Sequence, residues 1–291
     1  MGTSKSYGGP PNGLLPDWID QVAPGAAAPP APAPAPAPVP GAPPETPPPA
    51  ATPPAAPTGP LTGAASAGGL GTARGNFTRF AGSRERDSLR RAVSQYVRQG
   101  TGGAAGAAKR MGSSRVTGAQ LLGLIGDVQR NGPVAALQRL NLGGLAGRPA
   151  VEVFLALTEV MCPPGGRVDE AIARQAMLDT ICDMADQGVG DFGSLTADQL
   201  TEFFLGFVIH TIEGRVVADL GHRAIERPMS AEEAKLVQED LHQFVDGHVR
   251  GHLGTLLDRV RDLPESEISG MVDRIYRASF ELVSATAGDV E

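Results

Sequence analysis

From about Gly75 onward, apolar residues recur every three or four positions along the chain, which is the pattern of amphipathic helices. Helices are predicted over 83–99, 117–130, 133–140, 149–161, 168–187, 196–225, 230–263 and 264–285. Two of the predicted starts carry a capping-box sequence, in which Thr196 precedes Gln199 and Ser230 precedes Glu233 by three residues. No segment of useful length alternates with a period of two, so no sheet is predicted. The pattern therefore predicts an all-α, multi-helix domain over residues 76–288.

The residues before this domain have a different composition, because 20 of the 26 prolines precede Leu61. Each proline fixes its φ angle and restricts its predecessor, which predicts an extended polyproline II segment over 24–60. At about 3.1 Å per residue this segment can reach on the order of 110 Å. The Gly/Ala/Ser stretch over 59–75 is predicted to be flexible. We therefore predict a disordered Pro/Ala/Gly-rich linker over 23–75, preceded by a short motif over 1–22.

The N-terminal motif contains the only tryptophan of the protein, Trp18. Together with Tyr7, Leu14 and Leu15 it forms an apolar cluster, for which a disordered tail has no structural need. We predict that these four residues dock on a partner. The alternative is that the cluster packs against the helical domain of the same chain.

Gly2 becomes the first residue once Met1 is removed, and its α-amine is unhindered with a pKa near ~8. Met1–Ser6 also matches the myristoylation pattern, but this pattern is short and easily met by chance. An accessible amine on a long tether can enter the active site of a partner enzyme, which makes Gly2 a candidate modification site.

Charge is distributed unevenly along the chain. Residues 74–115 carry ten basic and two acidic side chains, and we call these basic residues the arginine collar. The collar residues chosen as candidate contacts are Arg84, Arg86, Arg90, Arg91, Lys109 and Arg110. They suit the phosphates of a nucleic acid or an acidic protein surface, and that surface includes the acidic helices of the chain itself.

The sequence carries no recognisable catalytic or metal-binding signature. The chain has no GxSxG turn and no phosphate-binding GxxxxGK[ST] loop. His248 and His252 share a helix face with His242 one and a half turns earlier, but a zinc site needs further ligands in register. We predict no catalytic residue, metal or cofactor, and hence a protein that is not an enzyme.

The two cysteines and the apolar segments bear on the cellular location. Cys162 and Cys182 lie in apolar helical patterns and are predicted to be core residues rather than a disulfide. The longest apolar run, 203–209, is far shorter than the ~20 residues that span a bilayer. No apolar signal sequence follows Lys5. The sequence thus predicts a cytoplasmic protein without membrane contact.

A family resemblance rests on 2–10 (GTSKSYGGP), on 14–18 (LLPDW), on the proline-rich spacer and on the Ala/Arg-rich helical body. These features resemble QatB, a family of subunits of the Qat anti-phage defence system of bacteria. The resemblance implies three partners, namely an ATPase, an enzyme similar to 7-cyano-7-deazaguanine synthase and a TatD-like nuclease. It also implies that the helical body binds these partners.

The resemblance suggests a role for the N-terminal tail. We hypothesise that the tail is presented to the deazaguanine-synthase-like enzyme and that Gly2 accepts a deazapurine. The alternative is a nucleic-acid-binding adaptor that uses the collar over 74–115 to recruit the nuclease to phage DNA.

Overall fold

A computed structural model describes residues 67–221, 229–257 and 263–285 of the chain. The regular secondary structure of these residues is helical. The ten α-helices in these ranges are α1 (Ala67–Ser83), α2 (Arg86–Gln95), α3 (Ala104–Lys109), α4 (Gly112–Asn131), α5 (Pro133–Gln138), α6 (Ala150–Met161), α7 (Val168–Asp186), α8 (Ala197–Leu220), α9 (Ala231–Leu257) and α10 (Glu265–Ala285). A π-helical turn, Tyr96–Gly100, continues α2, and 3₁₀ turns occupy Gly143–Leu145 and Phe192–Ser194. No strand occurs within the described ranges, which confirms the predicted all-α class.

Helix α8 forms the centre of the core. Its buried apolar residues include Phe203, Phe204, Leu205, Phe207, Val208, Ile209 and Ile212. Because every residue of 203–209 is buried, this part of the helix is buried around its whole circumference, as expected for a helix enclosed by others. It packs against α1, α4, α7 and α9. The stacked rings of Phe154 and Phe203, with centroids 3.8 Å apart, join α6 to the same core.

Helix α10 closes the core against α4 and α8. The helices meet at Gly118 of α4, where an added Cβ atom would be in ordinary contact with Val272 at 3.4 Å and with Phe207 at 3.5 Å. The buried hydroxyl of Tyr276 lies 2.9 Å from Thr211 Oγ1, so one hydrogen bond joins α10 to α8 inside the core.

Helix α1 begins at Ala67, within the stretch for which a flexible linker was predicted. Glycine is a poor helix former, and the many glycines of this stretch suggested a coil. Ala73, Phe77 and Phe80 are nevertheless buried, and α1 packs closely against α2. Tertiary burial of this apolar face therefore outweighs the low helix propensity of the glycines.

The predicted helix over 83–99 begins and ends differently in the structure. Arg84 has a φ of 56°, and this left-handed residue separates α1 from α2. Ser83 does not cap α2, whose N-cap residue is Glu85. The helical segment ends at Gly100 with the π-helical turn. Gly102 and Gly103 follow with φ values of 76° and 98°, and α3 begins at the next residue, Ala104.

Both predicted capping boxes are confirmed. Gln199 N donates to Thr196 Oγ1 over 3.2 Å, and Thr196 N donates to Gln199 Oε1 over 2.9 Å. Ser230 and Glu233 form the same reciprocal pair at the start of α9, at 3.2 and 2.8 Å. Helix α8 ends at Leu220, five residues before the predicted end at 225. The predicted end of the next helix near 263 cannot be compared in the same way, because 258–262 lie outside the described residues.

All the described residues belong to one compact unit that spans Pro60–Glu291. Among the helices of the described ranges, none combines the length and the apolar character that crossing a bilayer requires.

Candidate functional site

The predicted N-terminal site lies outside the described residues. Gly2, Tyr7, Leu14, Leu15 and Trp18 all precede residue 67, where the described part of the chain begins. Their assignment as modification and docking residues remains a prediction from the sequence.

The arginine collar is placed on α1 to α4, and several of its members form ion pairs with the acidic helices of the same chain. Arg84 Nε lies 2.7 Å from Asp240 Oδ2 on α9. The hydrogen bond from Arg84 and its charge, with a further contribution from the charge of Arg86, lower the pKa of Asp240. Arg115 pairs with Asp273 on α10. Three of the ten collar side chains, those of Arg84, Arg110 and Arg115, thus have carboxylate partners on other helices of the chain.

Arg110 takes part in a larger polar network around Asp219, which we call the Asp219 network. Asp219 Oδ2 accepts hydrogen bonds from Tyr96 Oη at 2.8 Å and from Arg110 Nε at 3.1 Å. Arg74 Nε donates to the backbone oxygen of Asp219 at 2.9 Å. Arg215 lies beside the same carboxylate, with 3.8 Å between Nη1 and Oδ1. The network joins four elements within a largely buried region, namely α1, the π-helical turn Tyr96–Gly100, the end of α3 and α8.

Burial and charge in this network shift the pKa of Tyr96. Burial raises the pKa of Tyr96, and the negative charge of Asp219 raises it further. The phenol therefore stays protonated and remains a donor to Asp219. Arg215 also pairs with Asp169 of α7, and its Nε has no hydrogen-bond partner among the described residues. The network is therefore a structural junction between these elements.

The remaining candidate collar residues are exposed to solvent. Arg86, Arg91 and Lys109 are exposed and have no ion-pair partner among the described residues. Arg90 pairs only with Asp87 of its own helix, at 3.5 Å. Arg86 and Arg90 are four residues apart on α2 and so share a helix face. The outer side of α2 and Lys109 on α3 are thus parts of the collar that an external partner can reach.

A second polar cluster lies where α7, α8 and α9 meet, and we call His210, Glu213 and His242 the histidine cluster. Glu213 Oε2 lies 3.2 Å from His210 Nδ1, and Glu213 Oε1 lies 2.9 Å from His242 Nδ1. The two imidazole rings stack with their centroids 5.1 Å apart. Asp183 Oδ2 lies 2.8 Å from His210 Nε2. Suitable ligand atoms of the three cluster residues all lie within 4.8 Å of one another.

The histidine cluster lies mostly below the surface. The side chains of Glu213 and His210 are 8% and 11% exposed, and that of His242 is 37% exposed. Burial alone would lower the pKa of His210, but hydrogen bonds and charges from Glu213 and Asp183 outweigh it and raise the pKa to about 9. The hydrogen bond with Glu213 likewise raises the pKa of His242. The cluster therefore favours positive charge next to the buried Glu213 carboxylate.

The sequence pattern drew attention to other histidines. His248 Nδ1 contacts the backbone oxygen of Phe244 at 2.5 Å, and His252 is exposed. His242 instead contacts α8, where His210 and Glu213 share one face at a spacing of three residues. The spacing of His210 and Glu213 was a usable signal, but the approach of His242 depends on how α8 and α9 pack.

The two cysteines have different environments. Cys162 is buried, and its Sγ lies 3.4 Å from Thr117 Oγ1. Burial raises the pKa of the Cys162 thiol. Cys182 is exposed, so its prediction as a core residue is wrong. It occupies the outer face of α7, where the acidic neighbours Asp179, Asp183 and Asp186 also lie.

Comparison with known proteins identifies a family relationship. The profile of the family described as "QatB: Qat anti-phage system associated protein QatB" matches residues 102–283. No curated protein and no solved structure gives a significant match. The matched segment contains the Asp219 residue and the whole histidine cluster, and it begins after α2.

Proposed function

This chain belongs to the QatB family and is a component of a Qat anti-phage system, and from that premise we propose that it is a non-enzymatic subunit. In this proposal the helical domain binds the other Qat proteins in the cytoplasm. The N-terminal tail, on its proline-rich tether, is presented to the deazaguanine-synthase-like enzyme.

The observation that carries this proposal is the composition of the tail. Trp18 is the only tryptophan of the chain and, like Tyr7, Leu14 and Leu15, it precedes the proline-rich segment in the sequence. The helical domain follows that segment. Aromatic residues contribute a large share of the binding energy at protein interfaces. A tail of this kind is suited to docking in a partner, and the tether lets the tail and the helical domain bind different partners.

Gly2 gives the tail a chemical function in this proposal. After removal of Met1, the α-amine of Gly2 attacks a deazapurine carboxyl carbon that the partner enzyme has activated with ATP. The activating group leaves with the carboxyl oxygen, a C–N amide bond forms, and the amine loses a proton to water. The long reach of the tether brings the amine to an active site that the helical domain does not need to approach.

Intact-mass analysis of the full chain, expressed with and without the other Qat proteins, tests this proposal. An added mass located at Gly2 only in the co-expressed sample is expected. Gly2→Glu should retain Met1 and lose the added mass, whereas the control Gly2→Ala keeps a small first residue and a free amine. Trp18→Ala should lower the modified fraction if Trp18 docks the tail. Loss of Met1 alone in every sample would refute the modification.

A second function is favoured by the exposed charges on α2. Arg86 and Arg91 are exposed and lack ion-pair partners in the described part of the chain, so they are available to phosphates. We propose, as the alternative, that the collar holds the protein on phage DNA beside the nuclease. Each phosphate contact adds a slope of about 0.9 to the fall of log affinity with log salt concentration.

The salt dependence of DNA binding tests this alternative. The double variant Arg86→Ala/Arg91→Ala should weaken binding and reduce the slope by up to about 2. The matched control Arg148→Ala/Arg277→Ala removes the same charge from exposed i,i+4 pairs with glutamates outside the collar. Equal effects of the two double variants would exclude a specific role of the collar.

A further inference from the structure

The histidine cluster has the composition and the arrangement of a transition-metal site. We propose that His210, Glu213 and His242 bind one divalent transition-metal ion, with Zn²⁺ as the ion that the ligand set suits best. Two imidazole nitrogens and one carboxylate oxygen are typical zinc ligands, whereas Mg²⁺ and Ca²⁺ prefer oxygen ligands alone.

The distances within the cluster fit this assignment. With zinc–nitrogen and zinc–oxygen bonds of about 2.0–2.2 Å, neighbouring ligand atoms of a tetrahedral site lie about 3.3 Å apart. His210 Nδ1 lies 3.2 Å from Glu213 Oε2 and His242 Nδ1 lies 2.9 Å from Glu213 Oε1, so each imidazole faces a different oxygen of one carboxylate. One ligand atom from each residue can be chosen so that all three lie within 4.8 Å of one another. Closing onto a single ion therefore requires at most about 1.5 Å of approach between ligand atoms, and His242, with 37% of its side chain exposed, has room to move.

Asp183 provides a second observation that fits a metal site. Its carboxylate lies 2.8 Å from His210 Nε2, while His210 Nδ1 faces the carboxylate of Glu213. A carboxylate on the far nitrogen of a ligating histidine is the usual support of zinc-bound histidines. Asp183 is thus placed to hold the His210 ring with Nδ1 towards the ion.

The surroundings leave room for a further ligand. The cluster borders a cavity of about 320 Å³ that is lined also by Asp179, Cys182, Lys235 and Gln238. Three protein ligands and an open fourth position are the arrangement of zinc sites that keep an exchangeable water. Since α8 supplies two ligands and α9 supplies the third, the ion would also join these two helices.

The charge of the cluster is compatible with a divalent ion. Glu213 is buried, with its side chain only 8% exposed, and both of its oxygens face imidazole nitrogens. Buried charges require close partners of the opposite sign. Because the imidazoles release their protons on binding, the ion would replace the positive charge that they present to Glu213 and Asp183. The proposal does not depend on the function of the tail or of the arginine collar.

Zinc titration of the full chain tests the proposal. The protein is first treated with EDTA, dialysed, and titrated with ZnCl₂ in a calorimeter. We expect one saturating site per chain and a rise in melting temperature upon zinc addition, because binding to the folded state stabilises it. Protons should be released on binding, since the imidazoles must lose theirs. The number released follows from repeating the titration in buffers with different heats of ionisation.

Variants distinguish the proposed ligands from adventitious ones. His210→Ala and His242→Ala should each weaken zinc binding by more than about 100-fold, and Asp183→Asn by about 10- to 100-fold. His252→Ala is the matched control, because it removes an exposed histidine from the same helix as His242. Circular dichroism of each variant confirms that it is folded, and His242→Ala removes the most exposed ligand and so disturbs folding least.

Co²⁺ provides a second readout. Its visible absorption reports the coordination number, and we expect the bands of a four- or five-coordinate site in the wild type and their loss in His242→Ala. Titration heats that do not saturate would overturn the proposal. A zinc affinity that is unchanged in His210→Ala and His242→Ala would overturn it equally, and would leave the cluster as a set of hydrogen-bonded charges.

Discussion

Removal of the Asp219 carboxylate is expected to destabilise the domain strongly. Asp219→Ala takes the acceptor from the fully buried Tyr96 hydroxyl, and an unsatisfied buried hydroxyl costs about 1–3 kcal/mol. It also deprives Arg110 and Arg215 of a counter-charge, and breaking a fully buried ion pair costs about 3–5 kcal/mol.

These two costs are not fully additive. The Arg110 side chain is 36% exposed and can be hydrated, and Arg215 keeps its partner Asp169. We therefore expect a total loss of about 3–4 kcal/mol in the free energy of unfolding. For a domain of this size such a loss lowers the melting temperature by roughly 6–16 °C. Tyr96→Phe removes only the hydroxyl and should cost about 1 kcal/mol.

Urea unfolding, followed by circular dichroism, measures these changes in the full chain. Asp273→Ala is the matched control, because it also breaks a pair with a collar arginine, Arg115, but one whose side chains are 30% and 49% exposed. A pair of this exposure contributes about 0–1 kcal/mol. In the double variant Asp219→Ala/Tyr96→Phe the two losses should be less than additive, since both remove the same hydrogen bond. Equal, small losses for Asp219→Ala and Asp273→Ala would refute the assignment of the network as a structural junction.

Two further predictions concern single positions. A thiol reagent should modify Cys182 rapidly in the folded protein and Cys162 only after unfolding, because the first is exposed and the second is buried; equal rates measured by mass spectrometry would contradict this difference. Gly106→Ala should destabilise the domain by about 1–3 kcal/mol, because its Cβ atom would lie 1.9 Å from the backbone oxygen of Thr101. Gly270→Ala, at an open helical position, should instead stabilise it by about 0.5–1 kcal/mol in the same urea assay.

Features set by local sequence could be predicted. Thr196 and Ser230 were identified as helix starts because a capping box involves only residues within one turn. The all-α class followed from the spacing of apolar residues, which is likewise local. Helix α1 was missed because its stability comes from packing against α2, and its glycine-rich sequence gives no sign of that contact.

The side-chain sites depend on contacts between helices, and these were predicted only in part. The collar was recognised from its charge, but the sequence alone left open whether it faces phosphates or carboxylates. Arg84, Arg110 and Arg115 contact Asp240, Asp219 and Asp273, and these contacts arise from tertiary packing. His210 on α8 and His242 on α9 are separated by 31 intervening residues, so their contact is not visible in any local pattern.

The position of Tyr96 defines how far the chain can be shortened. The family match begins at residue 102, yet α1 and α2 precede it and contribute Phe77, Phe80 and Tyr96 to the core. A fragment that starts at residue 102 would expose the apolar surface of α10 that α2 covers and would leave Asp219 without its phenol donor. The smallest autonomously folding fragment therefore starts near Ala67, and limited proteolysis should yield a resistant core that retains α1 and α2.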